Sequence, residues 1–85
     1  MKKVDEVVSL LSDVIRIDTT NPPGNEEAVA QFVQGFLKKE GLTSEIFSPA
    51  PGRGNIMSTI EGKRRGRPIV LLSHSDVVPA REDEW

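Results

Sequence analysis

Pro68-Ile69-Val70-Leu71-Leu72-Ser73-His74-Ser75-Asp76-Val77-Val78-Pro79 is the stretch around which the 85-residue chain is organised. Ile69 to Leu72 form a short apolar run, opened by Pro68 after Gly66 and closed by polar residues. A run this short, without alternation, predicts a strand buried on both faces. Proline is tolerated at its first position, where no ladder donor is needed. The run delivers His74, the single histidine of the chain, to the carboxyl end of that strand. In open α/β sheets ligand sites form at that end.

On an extended backbone residues i and i+2 project from the same face. The His74 imidazole and the Asp76 carboxylate can therefore lie side by side. One use of such a pair is a metal site, in which a ring nitrogen binds the ion and Asp76 holds or steers the ring. Another is a base oriented by a carboxylate for a serine nucleophile. Ser73 and Ser75 fall on the opposite face while the segment stays extended, which favours the metal use. A bare His-x-Asp is equally explained by a strand-end histidine bonded to a local carboxylate, because short motifs match often by chance.

Length and composition bound the alternatives. Eighty-five residues allow one small domain at most. Apolar content of 36% and charged content of 28% belong to a globular chain rather than a disordered one. The net charge of −2 gives no overall attraction to nucleic acid or to an anionic membrane. The chain has no cysteine, so a metal must be held by His, Asp or Glu. Lack of cysteine fits a reducing compartment, and a cytoplasmic location is expected. Met1, Lys2 and Lys3 run into Val4, Asp5 and Glu6 without the apolar core of a secretory leader. No apolar run approaches membrane-spanning length.

In chain order, Val4, Val7, Val8, Leu11, Val14 and Ile15 recur at helical spacing and predict an amphipathic helix from about Val4 to Ile17. Asp18 to Gly24 (DTTNPPG) stops it, since Asn21 before proline is pushed out of the helical region. A second helix is expected from about Glu26 to Glu40. Asn25 is its N-cap, Glu26 and Glu27 suit its first turn, and Val29, Phe32, Val33, Phe36 and Leu37 form its buried stripe. Gly41 fits the left-handed position of a Schellman motif, with Leu42 folding back on Leu37. Leu42 to Ser48 and Asn55 to Glu61 read as strands, separated by a loop at 49–54. Gly52-x-Gly54 is not a phosphate fingerprint, because no helix comes after it. Gly62 to Arg67 reads as a basic hairpin tip leading into the Pro68–Leu72 strand. The fold class expected is α/β: two helices, then a three-stranded, largely antiparallel sheet.

Leu71 to Ala80 (LLSHSDVVPA) closely resembles the metal-site segment of the M20 family of zinc metallohydrolases. This family includes acetylornithine deacetylases, succinyl-diaminopimelate desuccinylases, aminoacylases, dipeptidases and glutamate carboxypeptidases. Arg16 to Glu26 (RIDTTNPPGNE) resembles its N-terminal signature, and Glu82, Asp83, Glu84 and Trp85 resemble the residues just after its metal segment. The resemblance implies the N-terminal part of an α/β/α zinc-peptidase-like catalytic domain on a mixed sheet, without the lid and dimerisation domain. It implies His74 as a metal ligand, Asp76 as the catalytic-site aspartate that orients it, and no further cofactor-binding residue. It implies Zn2+, two ions per complete enzyme, with Co2+ or Mn2+ as alternatives. It implies N-acyl amino acids or short peptides as substrates, a water deprotonated by a glutamate as nucleophile, and a homodimer of the complete enzyme. No nucleic-acid or membrane partner is expected.

A hydrolytic zinc site needs several protein ligands and an open position. This chain offers one histidine and one nearby aspartate. In the resembled family the bridging aspartate, the glutamate base, further acidic ligands and a second histidine come later than Trp85. The chain thus reads as an amino-terminal piece that supports no turnover alone. A rival reading is a non-catalytic folding or interaction module. A nucleic-acid module would rest on Lys63 to Arg67 only and is opposed by the net acidity.

Overall fold

The structure is a computed structural model, and it describes residues 2–84. The expectations placed on Met1 and Trp85 lie outside the described residues. Helix α1 spans Lys2–Ile15 and helix α2 spans Glu26–Lys39. Strands β1 (Glu45–Phe47) and β2 (Asn55–Met57) come next, and a short 3-10 turn covers Glu82–Glu84.

β1 and β2 pair antiparallel, with Glu45 opposite Met57, Ile46 opposite Ile56 and Phe47 opposite Asn55. Alternation puts Ile46 and Ile56 on the half-buried side and their neighbours in solvent. The inner side rests on α2, whose Val29 and Ala30 are the buried apolar residues of the core. Ser58 extends the pairing one step by donating its hydroxyl to Thr43 O at 2.7 Å. The 49–54 connection returns over the start of α2. There Gly52 O accepts the Glu27 N–H at 3.1 Å, and Arg53 Nε donates to Glu26 Oε2 at 2.7 Å. Gly24 makes this closure feasible. Its φ is +83°, and a Cβ there would sit 2.5 Å from Glu26 Oε1 and 2.8 Å from Arg53 Nε, closer than any side chain allows.

Both ends of α2 are set by identifiable bonds. At the C-terminus Gly41 has φ +80°. Its N–H reaches Lys38 O at 3.0 Å and the Leu42 N–H reaches Leu37 O at 2.9 Å, which is the Schellman pattern. At the N-terminus the expected cap is not made, because the Asn25 side chain forms no capping bond. A helix start leaves four backbone donors without partners, and here the Gly52 carbonyl takes one of them.

Two expectations are corrected. The described residues contain a two-stranded sheet, not a three-stranded one. Residues 58–76 form no ladder, so Gly62 to Arg67 is not a hairpin tip. Ile69, Val70, Leu71 and Leu72 are 88%, 79%, 93% and 94% exposed. The physical reason is that a run apolar on both faces gains from a sheet only when both faces are covered. The β1–β2 hairpin has a helix on one side alone. The α1 stripe is also uncovered: Val4, Val7, Val8, Leu11 and Ile15 are all more than half exposed. Leu10, Val14 and Ile17 are the half-buried apolar residues of that region. The radius of gyration is 15.1 Å, against about 12 Å for a compact chain of this length, so the fold is not closed around one core. Among the described residues no helix is long and apolar enough to cross a membrane.

Apolar surface of this extent drives association, and unpaired apolar segments are templates for it. The 85-residue chain is expected to self-associate as concentration rises, and Ile69→Lys with Leu71→Lys to shift it toward monomer. Sedimentation velocity across a concentration series checks this, and a wild-type chain that stays monomeric and unfolds cooperatively would count against it.

Candidate functional site

The loop after α1 and the segment beyond Leu72 meet along a short parallel bridge. Thr20 pairs with Val77. Val77 N–H donates to Thr19 O at 3.2 Å and Asn21 N–H donates to Val77 O at 2.8 Å. Thr19, only 3% exposed, donates its hydroxyl to Ser75 O at 2.7 Å. The loop side is shaped locally: Asp18 Oδ1 accepts the Thr20 N–H at 3.0 Å, and Gly24 N–H donates to Thr20 O at 2.8 Å. Pro22 and Pro23 have no N–H to place, and the Asn21–Pro22 and Pro22–Pro23 peptide bonds are cis. The DTTNPPG segment, read from sequence as a turn between helices, is thus also one side of the bridge.

The bridge sets His74 and Asp76 beside Asn21. His74 Nδ1 lies 3.0 Å from Asp76 Oδ1 and 3.0 Å from Asp76 O. A backbone carbonyl only accepts, and an ionised carboxylate only accepts, so Nδ1 carries the hydrogen. In the neutral ring the Nε2 lone pair is then free. The other carboxylate oxygen, Asp76 Oδ2, accepts from Asn21 Nδ2 at 3.0 Å. The imidazole is 86% exposed while the Asp76 side chain is 29% exposed. Asn21, His74, Asp76, Val77 and Val78 line a shallow concavity of about 370 Å³. A larger groove of about 500 Å³ runs between α1 and α2, past Leu10, Phe32 and Phe36. It holds no imidazole, and its two carboxylates, Glu6 and Asp13, stand two turns apart on α1, so the histidine chemistry belongs to the smaller one.

The Asp76 carboxyl is held below its ordinary value, first by the Asn21 amide and then by the His74 ring. Asp18 is likewise lowered, by the side chain and then the backbone N–H of Thr20. Neither serine completes a triad. Ser73 Oγ donates to His74 O at 3.4 Å, and the His74 ring contacts are Asp76 O and Asp76 Oδ1, with no serine hydroxyl among them. Asp83 and Glu84 near the C-terminus are taken up locally, with Arg81 Nε 3.1 Å from Asp83 Oδ1 and Arg81 Nη1 3.5 Å from Glu84 Oε1. Among the described residues no group of three potential ligand side chains converges. The residues present therefore fit one corner of a divalent-metal site, through His74 Nε2, and not a whole one.

Sequence reasoning singled out His74 and Asp76, and the structure brings them together although they stand on no regular strand. It missed Thr19 and Asn21 as contributors. A run of Asp, Thr, Thr and Asn ahead of two prolines was the available signal, since such side chains bond to nearby backbone, but their partners lie more than 50 residues away in sequence.

Comparison with known proteins finds distant relatives over most of the chain. Over 83 residues the chain is 25% identical to N-formyl-4-amino-5-aminomethyl-2-methylpyrimidine deformylase of Bacillus subtilis, covering 94% of this chain and 20% of that protein. Over 77 residues it is 32% identical to a peptidase M20 domain-containing protein of Schizosaccharomyces pombe, covering 87% and 18%. Over 82 residues it is 30% identical to aminoacylase-1 of Dictyostelium discoideum, covering 95% and 20%. The likeness is to hydrolases of the M20 kind. The chain spans about a fifth of the length of these relatives. No family model matches it, and no solved structure matches it significantly.

Two outcomes are expected from the bridge. Thr19→Val removes the hydroxyl that satisfies Ser75 O and should cost about 1–3 kcal/mol of bridge stability. Amide hydrogen exchange at Asn21 and Val77 should speed up, and unchanged protection would show that the hydroxyl is dispensable. Asp18 has a folded value below the ordinary 3.8. Its contribution is therefore fully present above 3.8 and is lost as pH falls through the lowered value. Carboxyl carbon shifts should place its midpoint below 3.8, and Thr20→Pro, which deletes the N–H, should raise it.

Proposed function

We propose that this chain is the N-terminal part of an M20-type, zinc-dependent amidohydrolase or metallopeptidase acting on N-acyl amino acids or short peptides. The observation that carries the reading is the His74–Asp76 pair: Nδ1 is occupied by two acceptors, and Nε2 is left free on an exposed ring beside a concave surface. Zinc-bound histidines are characteristically held this way, with the second nitrogen donating to a carboxylate or carbonyl. The similar proteins, named for peptidase, aminoacylase and deformylase activities, support the same class.

In this reading His74 Nε2 supplies one metal ligand. Asp76 orients the ring, and because each of its oxygens already has a partner it is not itself a ligand. Val77 and Val78 supply apolar lining to the concavity. A divalent ion held there would polarise the amide carbonyl and acidify water. The remaining ligands and the glutamate base are assigned to chain beyond residue 84, as is the subunit interface of a homodimeric complete enzyme. Zinc is the proposed ion, with cobalt or manganese substituting according to availability.

A second reading is favoured by one observation, the absence of a converging ligand trio among the described residues. In it the chain is a folding or interaction module with no chemistry of its own. Both readings expect the 85-residue chain alone to hydrolyse nothing. They separate in the complete protein. There His74→Ala should remove most hydrolysis of N-acyl amino acids and lower bound metal by one equivalent, measured by elemental analysis. Metal content unchanged by His74→Ala would sink the ligand assignment, and no activity in the wild type would favour the module.

A further inference from the structure

We propose that Asn21 is a positioning residue that, acting through Asp76, locks the His74 ring in the form with hydrogen on Nδ1 and the lone pair on Nε2. The proposal deepens the metal reading, but the tautomer it concerns is a property of this chain with or without a metal.

An exposed neutral imidazole in water favours the opposite tautomer, with hydrogen on Nε2, in which the outward nitrogen cannot bind an ion. Holding the Nδ1–H form requires a fixed acceptor beside Nδ1. His74 is 86% exposed, and exposed charged pairs are weak unless their geometry is held. The Asp76 carboxylate is that acceptor only while its own rotation is stopped. Its Oδ1 faces His74 Nδ1 and its Oδ2 faces Asn21 Nδ2, each at 3.0 Å, so the two donors grip one oxygen apiece. Asn21 in turn is anchored. Its N–H is bonded to Val77 O at 2.8 Å, and Pro22 behind it restricts its backbone. The amide thus reaches the carboxylate from a backbone position tied to the next residue along, which a solvent-borne donor could not reproduce.

The chemistry of Asn fits this task better than its neighbours in size. Its Nδ2 donates to a carboxylate without carrying charge, so it fixes Asp76 without competing with His74 as a counter-ion. An aspartate of the same shape would present a second acceptor and turn the carboxylate away.

The single histidine makes the test direct. Long-range proton–nitrogen correlation spectra of the ¹⁵N-labelled chain report which ring nitrogen bears hydrogen. They are recorded at a concentration where the chain is monomeric and in buffer alkaline enough to keep the ring neutral. The wild type should show hydrogen mainly on Nδ1. Asn21→Ala and Asn21→Asp should each move it mainly to Nε2, and Asp76→Ala should do the same. Ser58→Ala, which removes the hydroxyl bond to Thr43 O at the hairpin and touches neither side of the bridge, should keep the wild-type tautomer. A wild-type tautomer in both Asn21 variants overturns the proposal, as does an equal shift in Ser58→Ala, which would make the effect one of general loosening. In the complete protein Asn21→Ala should weaken metal binding by about 10- to 100-fold, the usual effect of losing such an outer partner. If the wild type binds no metal the hydrolase reading fails, while the tautomer result stands or falls on its own.

Discussion

The parallel bridge between Thr19–Asn21 and Ser75–Val77 is the constraint on which the site depends. It ties together segments separated by more than 50 residues, and closing a loop of that length costs several kcal/mol of chain entropy. Against that cost stand a buried threonine hydroxyl, two backbone bonds and the Asn21 amide on Asp76. Each is modest by net contribution, but Thr19 is buried and its loss would strand a carbonyl. Without the bridge, residues 73–78 would have no fixed relation to the helices, and the His74–Asp76 pair would be one more exposed contact.

The core is arranged differently. It lies where α2 crosses the β1–β2 hairpin, and its buried apolar residues are Val29 and Ala30. The Arg53–Glu26 pair and the Gly52 carbonyl bind the hairpin connection to the first turn of α2. That same turn comes directly after Gly24, so the closure of the hairpin also fixes the end of the loop that carries Asn21. Stability at the core and placement at the site are therefore linked through residues 24–27. The uncovered stripe of α1 and the exposed Ile69–Leu72 run belong to neither unit.

Much of the local structure was legible. Both helices were read to within about two residues, because apolar residues recur at helical spacing and Asp18 to Gly24 and Gly41 stop them for stated steric reasons. The Schellman end of α2 was legible from Gly41, whose left-handed φ and the Leu42–Leu37 approach are both present. The His74–Asp76 pair was read from i, i+2 geometry alone. Three features were not. Asn25 has the composition of a cap but loses the role to Gly52, a residue far along the chain. The α1 stripe has the pattern of a buried face but no partner. The Pro68–Leu72 run has the composition of a buried strand but lacks neighbours on either side.

The sequence by itself determined what depends on near neighbours: helix periodicity, the left-handed turn at Gly41, and a histidine within reach of its own carboxylate. These arise from steric limits and side-chain reach over a few residues, which travel with the chain. Tertiary structure alone decided which apolar faces are covered, which carbonyl caps α2, and that Asn21 grips Asp76. Burial and long-range hydrogen bonds depend on which distant segments meet, and no local pattern encodes that meeting.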